Sequence, residues 1–88
     1  MISRDVVITN TSGLHARPAT FFIHKALSYK SSVWVEKGDR KVNAKSLLGV
    51  LSLGIAQGMT VTLIADGEDE NAAIDGLIEL INSGFSES

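Results

Sequence analysis

Cysteine is absent from the chain. That excludes disulfides, thiolate nucleophiles and Cys-ligated zinc, and a small domain without disulfides fits the cytosol. Basic charge is in the minority: eight Lys and Arg face ten Asp and Glu, for a formal net charge of −2. No basic field exists to hold a nucleic acid. Aromatics make up 6% of the chain, with a single Trp, too few for the stacking face of an RNA-binding sheet. No stretch approaches ~18 consecutive apolar residues, so membrane insertion is not expected. The opening MISRDVVITN lacks the apolar run of a signal peptide. Linkers, repeats and low-complexity segments are also missing. With 88 residues, the chain reads as one domain over 1–88. Substrate pockets commonly need ~300–1,000 Å³, which a domain this small hardly provides. A self-contained enzyme is therefore not expected, and neither is a cofactor or a metal.

What is present is an ordinary globular composition, 44% hydrophobic, too apolar for intrinsic disorder. Met1–Thr9 reads as a strand, with Ile2, Arg4, Val6 and Ile8 on one face. Asn10-Thr11-Ser12-Gly13 is a turn cluster. A helix follows from Ala16 to about Leu27, carrying Ala19, Phe22, Ile23 and Ala26 at helical spacing. Ser32–Lys37 and Arg40–Ala44 read as two strands joined by a tight Gly38-Asp39 turn. Leu47–Leu53 reads as a short helix, Thr60–Ala65 as a fourth strand, and Glu70–Ser83 as a last helix stopped by Gly84. The order β-α-β-β-α-β-α, with helices covering one face of the sheet, gives an open-faced sandwich of α and β elements.

Gly13-Leu14-His15-Ala16-Arg17-Pro18-Ala19 is the most informative segment. His15 falls between a glycine turn and a helix start, where the N–H groups of Ala16 and Arg17 lack helical acceptors. Such an end attracts anions and disfavours a cation. A neutral ring nitrogen is a nucleophile, and a phosphoryl group on it would face the same N–H groups, with Arg17 as counter-charge. A helix-capping histidine and a solvated arginine explain the same residues. His24 lies half a turn off the His15 face and ~13 Å along the axis, so the two cannot share a metal; it reads as an exposed helix residue.

The second segment is Lys45-Ser46-Leu47-Leu48-Gly49-Val50-Leu51-Ser52-Leu53-Gly54. Ser46 suits an N-cap. The helix is apolar on most sides, so part of it is expected at the surface as a docking site. Gly49 lowers helix propensity by ~1 kcal/mol relative to Ala, which suggests close approach by a partner or by a neighbouring part of the domain. A phosphate on Ser46 would sit at the helix start and repel an acidic partner, though on residue chemistry alone a plain N-cap serine is the better explanation of the position.

These two segments, with thirty residues lying between His15 and Ser46, resemble the active-site signature and the regulatory-serine segment of HPr, the histidine-containing phosphocarrier family of the bacterial sugar phosphotransferase system. The likeness extends over the whole chain, including the Gly67-Glu68-Asp69-Glu70 turn. It implies an α+β fold with an antiparallel sheet of order 1-4-2-3 and three helices on one face. It implies that His15 accepts a phosphoryl group from phospho-enzyme I and donates it to sugar-specific IIA domains, with Arg17 and the Ala16 and Arg17 N–H groups positioning the phosphate. Thr20, Leu47, Leu48, Gly49 and Leu51 would form the docking surface. Ser46 would be phosphorylated by HPr kinase/phosphorylase, and that form would act as corepressor for a catabolite-control repressor in Gram-positive relatives. Leucine stands at 47, 48 and 51, where those relatives often carry Ile or Met. A paralogue that keeps the regulatory serine has lost the histidine, and here His15 is present. A cytoplasmic monomer is the expectation. Two other readings stay open: a purely regulatory protein working through Ser46, and an acylphosphatase-like enzyme of similar fold.

Overall fold

The structure, a computed structural model, describes residues 1–85; the last three positions of the expected 1–88 domain lie outside the described residues. The elements run β1 (Ile2–Val7), α1 (Ala16–Leu27), β2 (Ser32–Lys37), β3 (Arg40–Asn43), α2 (Leu47–Ser52), β4 (Thr60–Asp66) and α3 (Glu70–Asn82). The four strands form one sheet of order β1-β4-β2-β3, with every pairing antiparallel. β4 therefore slots between β1 and β2, and the last strand of the sequence is central in the sheet.

Period-2 alternation decides which face is covered. Val6 on β1, Val33 and Val35 on β2, and Val61, Leu63 and Ala65 on β4 are all buried. They meet Ala19, Phe22, Ile23 and Ala26 of α1, Val50 of α2, and Ala73, Ile74, Leu77 and Ile81 of α3 in one core. All three helices therefore cover the same face. The opposite face stays open, with Trp34 half-buried and directly across from Ile64.

Element ends differ from the sequence reading by one or two residues. β1 stops at Val7 because Ile8 leaves the ladder. Its N–H goes to the Met59 carbonyl at 2.9 Å, and its carbonyl accepts from Gly58 at 2.7 Å. Arg4 shares the inward pleat with Val6, yet it is exposed; β1 is a sheet edge, and a long cationic side chain there reaches water. α3 ends where Gly84 takes φ +75° and Phe85 donates to the Leu80 carbonyl at 3.0 Å. Phe85 is then fully buried, a core residue that the helical pattern does not announce. No helix among the described residues is long and apolar enough to cross a membrane.

The Gly67–Glu70 turn has a structural task. Asp69 accepts from the Lys30 and Ser31 N–H groups, each at 2.9 Å, and from the Ser31 hydroxyl. It ties the start of α3 to the start of β2 across 38 residues of sequence. The Ser31 hydroxyl bond is the largest cause, with the Lys30 N–H next, that holds the Asp69 carboxyl at about 2 against an ordinary 3.8. A carboxylate held low stabilises the fold above its unfolded value, and that stability is lost as pH falls through the folded one. Thermal melts should therefore show Asp69→Asn less stable than the parent at neutral pH. The gap should narrow as pH drops from about 4 through 2, and a gap as wide at pH 2 as at neutral pH would contradict the assignment.

Candidate functional site

The segment before α1 is built on one close backbone contact. Gly13 adopts φ +59°, and a Cβ there would collide with the Ile55 carbonyl and come within 2.8 Å of the Ala56 Cα. Leu14 donates to that same Ile55 carbonyl at 3.0 Å, and its side chain is buried. Within the turn, Gly13 donates to the Asn10 carbonyl at 3.2 Å, and the buried Asn10 amide returns a bond to the Gly13 carbonyl at 2.8 Å. The Gln57 amide adds a bond to the Thr9 carbonyl at 3.1 Å. The loop leading into β4 thus grips the loop leading into α1.

His15 is the residue this grip presents. It is the N-cap of α1, with extended backbone (φ −81°, ψ −172°) and no side-chain capping bond. Its imidazole is exposed. Its carbonyl accepts the Ala19 N–H at 2.8 Å, and Pro18 has no N–H to offer. The Ala16 and Arg17 N–H groups, the first two of the helix, have no helical acceptor. A serine, threonine or aspartate at this N-cap would have taken one such donor for itself. The His15 side chain takes neither, so the capping explanation of His15 is not what the geometry gives.

Arg17, Thr20 and His24 are all exposed on α1. The Arg17 guanidinium carbon lies 5.8 Å from the centroid of the Phe21 ring. Thr20 turns its hydroxyl to the Ala16 carbonyl at 2.8 Å, so its methyl is what it offers a partner. His24 stands in the last turn of α1, apart from His15 as its spacing requires.

α2 begins as its sequence suggests. The Ser46 hydroxyl accepts the Gly49 N–H at 3.1 Å. Of the two roles considered for Gly49, contact within the domain is the observed one: a Cβ there would stand 3.3 Å from the Ser46 hydroxyl oxygen and 3.4 Å from the Val42 side chain. Val50 and Leu53 are buried, whereas Leu47, Leu48 and Leu51 are 41%, 81% and 36% exposed. α1 packs beside α2 and carries two further exposed large apolar side chains, Phe21 at 37% and Leu27 at 56%. At the other end of α2, Lys37 donates to the Leu53 carbonyl at 3.2 Å, and Arg40 donates to the Ser52 carbonyl at 2.7 Å. Cations therefore satisfy the helix C-terminus and border the leucines.

Comparison with known proteins matches residues 2–83 to the family model described as "PTS HPr component phosphorylation site". The chain belongs to the HPr family. HPr proteins are phosphocarriers of the phosphotransferase system and are not themselves catalytic enzymes, so the acylphosphatase-like alternative falls away. Relatives include the phosphocarrier protein HPr of Neisseria meningitidis, 42% identical over 99% of this chain and 98% of its own. The HPr-like protein Crh of Bacillus subtilis is 46% identical over 88% of this chain and 91% of its own. HPr-C-His from Thermoanaerobacter tengcongensis superposes with a TM-score of 0.97 at 49% identity, covering 100% of this chain and 99% of the other. A second solved HPr from that organism is described as a dimer (TM-score 0.80, 49% identity). The Bacillus subtilis Crh crystal structure is described as a swapped dimer (TM-score 0.76, 42% identity).

Sequence reasoning missed several supports of this HPr site. Ile55 and Ala56 carry no chemical signal, since they act through backbone atoms. Asn10 read only as a turn former. Phe21 lies outside the α1 core stripe, and its i, i+4 spacing from Arg17 is the signal that pairs them. The Gly13 contact is testable. Gly13→Ala should cost at least ~1–3 kcal/mol in urea denaturation, from the left-handed backbone alone. Unchanged stability would mean that the two loops do not lock.

Proposed function

We propose that His15 is the phosphoryl acceptor, charged by phospho-enzyme I and discharged onto sugar-specific IIA domains. The observation that carries this reading is the exposed imidazole at an N-cap whose side chain takes no N–H, with the Ala16 and Arg17 N–H groups open beside it. A ring nitrogen attacks phosphorus, the donor's P–N bond breaks, and the transferred dianion meets two N–H dipoles and the Arg17 charge. No enclosed cavity is needed, because the partner protein closes over the open histidine and supplies orientation.

The docking surface in this reading is Thr20, Leu47, Leu48, Gly49 and Leu51, with Phe21 added. Its cationic border, Arg17 on α1 and Lys37 and Arg40 at the end of α2, fits acidic partners with an apolar centre. Ser46 is the regulatory site for HPr kinase/phosphorylase. A phosphate there adds about −1.5 to −2 charges beside the leucines and repels such partners. The Crh relatives support a role for that form in catabolite repression, through a repressor. A purely regulatory role is the second reading, favoured by the Crh likeness. A serine-only regulator has no use for an acceptor histidine, so the carrier reading is preferred. The chain works in the cytoplasm as one domain. The expected monomer stands against the dimers among its relatives, and sedimentation across a concentration series decides between them.

Incubation with phosphoenolpyruvate and enzyme I should label one acid-labile, base-stable site. His15→Ala should abolish the label, and retention would sink the assignment. Leu48→Glu, on a side chain 81% exposed, should leave folding intact and weaken enzyme I binding about tenfold, ~1.4 kcal/mol. Ser46→Ala should lose labelling by HPr kinase and cost ~1 kcal/mol of stability through the lost cap. Kinase labelling of that variant at full level would place the regulatory site elsewhere.

A further inference from the structure

Arg17 and Phe21 stand one helical turn apart on α1, and the guanidinium lies over the Phe21 ring at 5.8 Å. The ring is C-terminal to Arg17, whereas His15 and the open Ala16 and Arg17 N–H groups are N-terminal to it. A guanidinium drawn to the ring is drawn away from the end of the helix where a phosphate would sit. Phe21 is 37% exposed and stands outside the hydrophobic core. The apolar stripe of α1 is complete without it, through Pro18, Ala19, Phe22, Ile23 and Ala26. Among the described residues Arg17 has no ion pair, so the ring is the one partner recorded for its charge.

We propose that Phe21 is a positioning residue, a perch that holds Arg17 off the helix start until His15 is phosphorylated. This rests on the reading of His15 as phosphoryl acceptor and Arg17 as its counter-charge. An exposed cation–π contact is weak, and its strength translates to ~2–5-fold in an equilibrium constant. A phosphate dianion beside the open N–H groups attracts the same guanidinium more strongly, so phosphorylation moves Arg17 from ring to phosphate. The perch has two consequences. It keeps the cation ordered on the docking face of the uncharged carrier. It also weakens the hold on the phosphate by the perch's own small free energy, which favours handing the group onward. A carrier that bound its phosphate too well would not release it.

The test is an exchange equilibrium between carriers. Isotope-labelled parent and unlabelled variant are mixed with limiting phosphoenolpyruvate and a catalytic amount of enzyme I, and phosphate on each is read by mass spectrometry. Each transfer breaks one P–N bond and forms another, so the ratio reports only how well each carrier holds the group. Docking affinity cancels at equilibrium. Phe21→Leu keeps apolar bulk and removes the ring, and it should take ~2–5-fold more phosphate than the parent. Phe21→Tyr keeps the ring and should share evenly. On an Arg17→Ala background, adding Phe21→Leu should change nothing, because the effect runs through Arg17. In the NMR spectrum, the Arg17 side-chain resonances should carry a ring-current shift that disappears on phosphorylation. An even split for Phe21→Leu, or a bias that survives Arg17→Ala, overturns the perch while leaving His15 as acceptor. Absence of any label on His15 overturns the acceptor reading and the perch with it.

Discussion

Leu14 donates its N–H to the Ile55 carbonyl, and Gly13 lies flat against that carbonyl and the Ala56 backbone. A side chain at position 13 would push the two loops apart. The consequences extend in both directions along the chain. The α1 side of the contact ends in His15, whose extended backbone starts a helix. The other side leads through Gly58 and Met59, which bond Ile8, into the central strand of the sheet. The histidine is exposed, yet the backbone that carries it is anchored to the middle of the fold. An exposed side chain has no pocket wall to hold it, so its placement rests on that backbone anchor.

The same economy appears in α2. The helix has six residues, too short to stand alone, so its ends are held from outside. Ser46 caps one end with its own hydroxyl, and Lys37 and Arg40 from the β2–β3 hairpin satisfy carbonyls at the other. Only Val50 of the helix is buried. Three leucines remain partly or mostly in water, a cost that makes sense when a partner covers them. Helix, cap and cationic border thus belong to one surface, and a charge added at Ser46 would be felt across it.

Much of this was legible in the sequence. Strand alternation in Val33–Val35 and Val61–Ala65 and helical spacing in Ile74, Leu77 and Ile81 report a covered face and an open one, because burial imposes those periods. The His15 and Ser46 segments were legible because their chemistry depends on residue type at fixed local spacing. Boundaries shifted where long-range bonds compete with local pattern, as at Ile8, which leaves its ladder to bond Met59 and Gly58. Phe85 was missed as core, since a helix-stopping glycine hides the turn that returns the chain inward.

The sequence alone therefore determined the absences, the element order and the two motif segments around His15 and Ser46, all of which are local properties of residue type and period. Tertiary structure decided two further things. Gly49 faces Ser46 and Val42 within the domain, while Gly13 is the position where a close approach is obligatory. Asp69, 38 and 39 residues from its partners in sequence, joins α3 to β2. The Asp69 and Gly13 contacts join groups far apart in sequence, which no local pattern encodes, whereas Arg17 and Phe21 are a local i, i+4 pair whose spacing announces it. The small, acidic, cysteine-free composition had left only room for work at a surface, and the fold leaves His15, Leu47, Leu48 and Leu51 exposed on it.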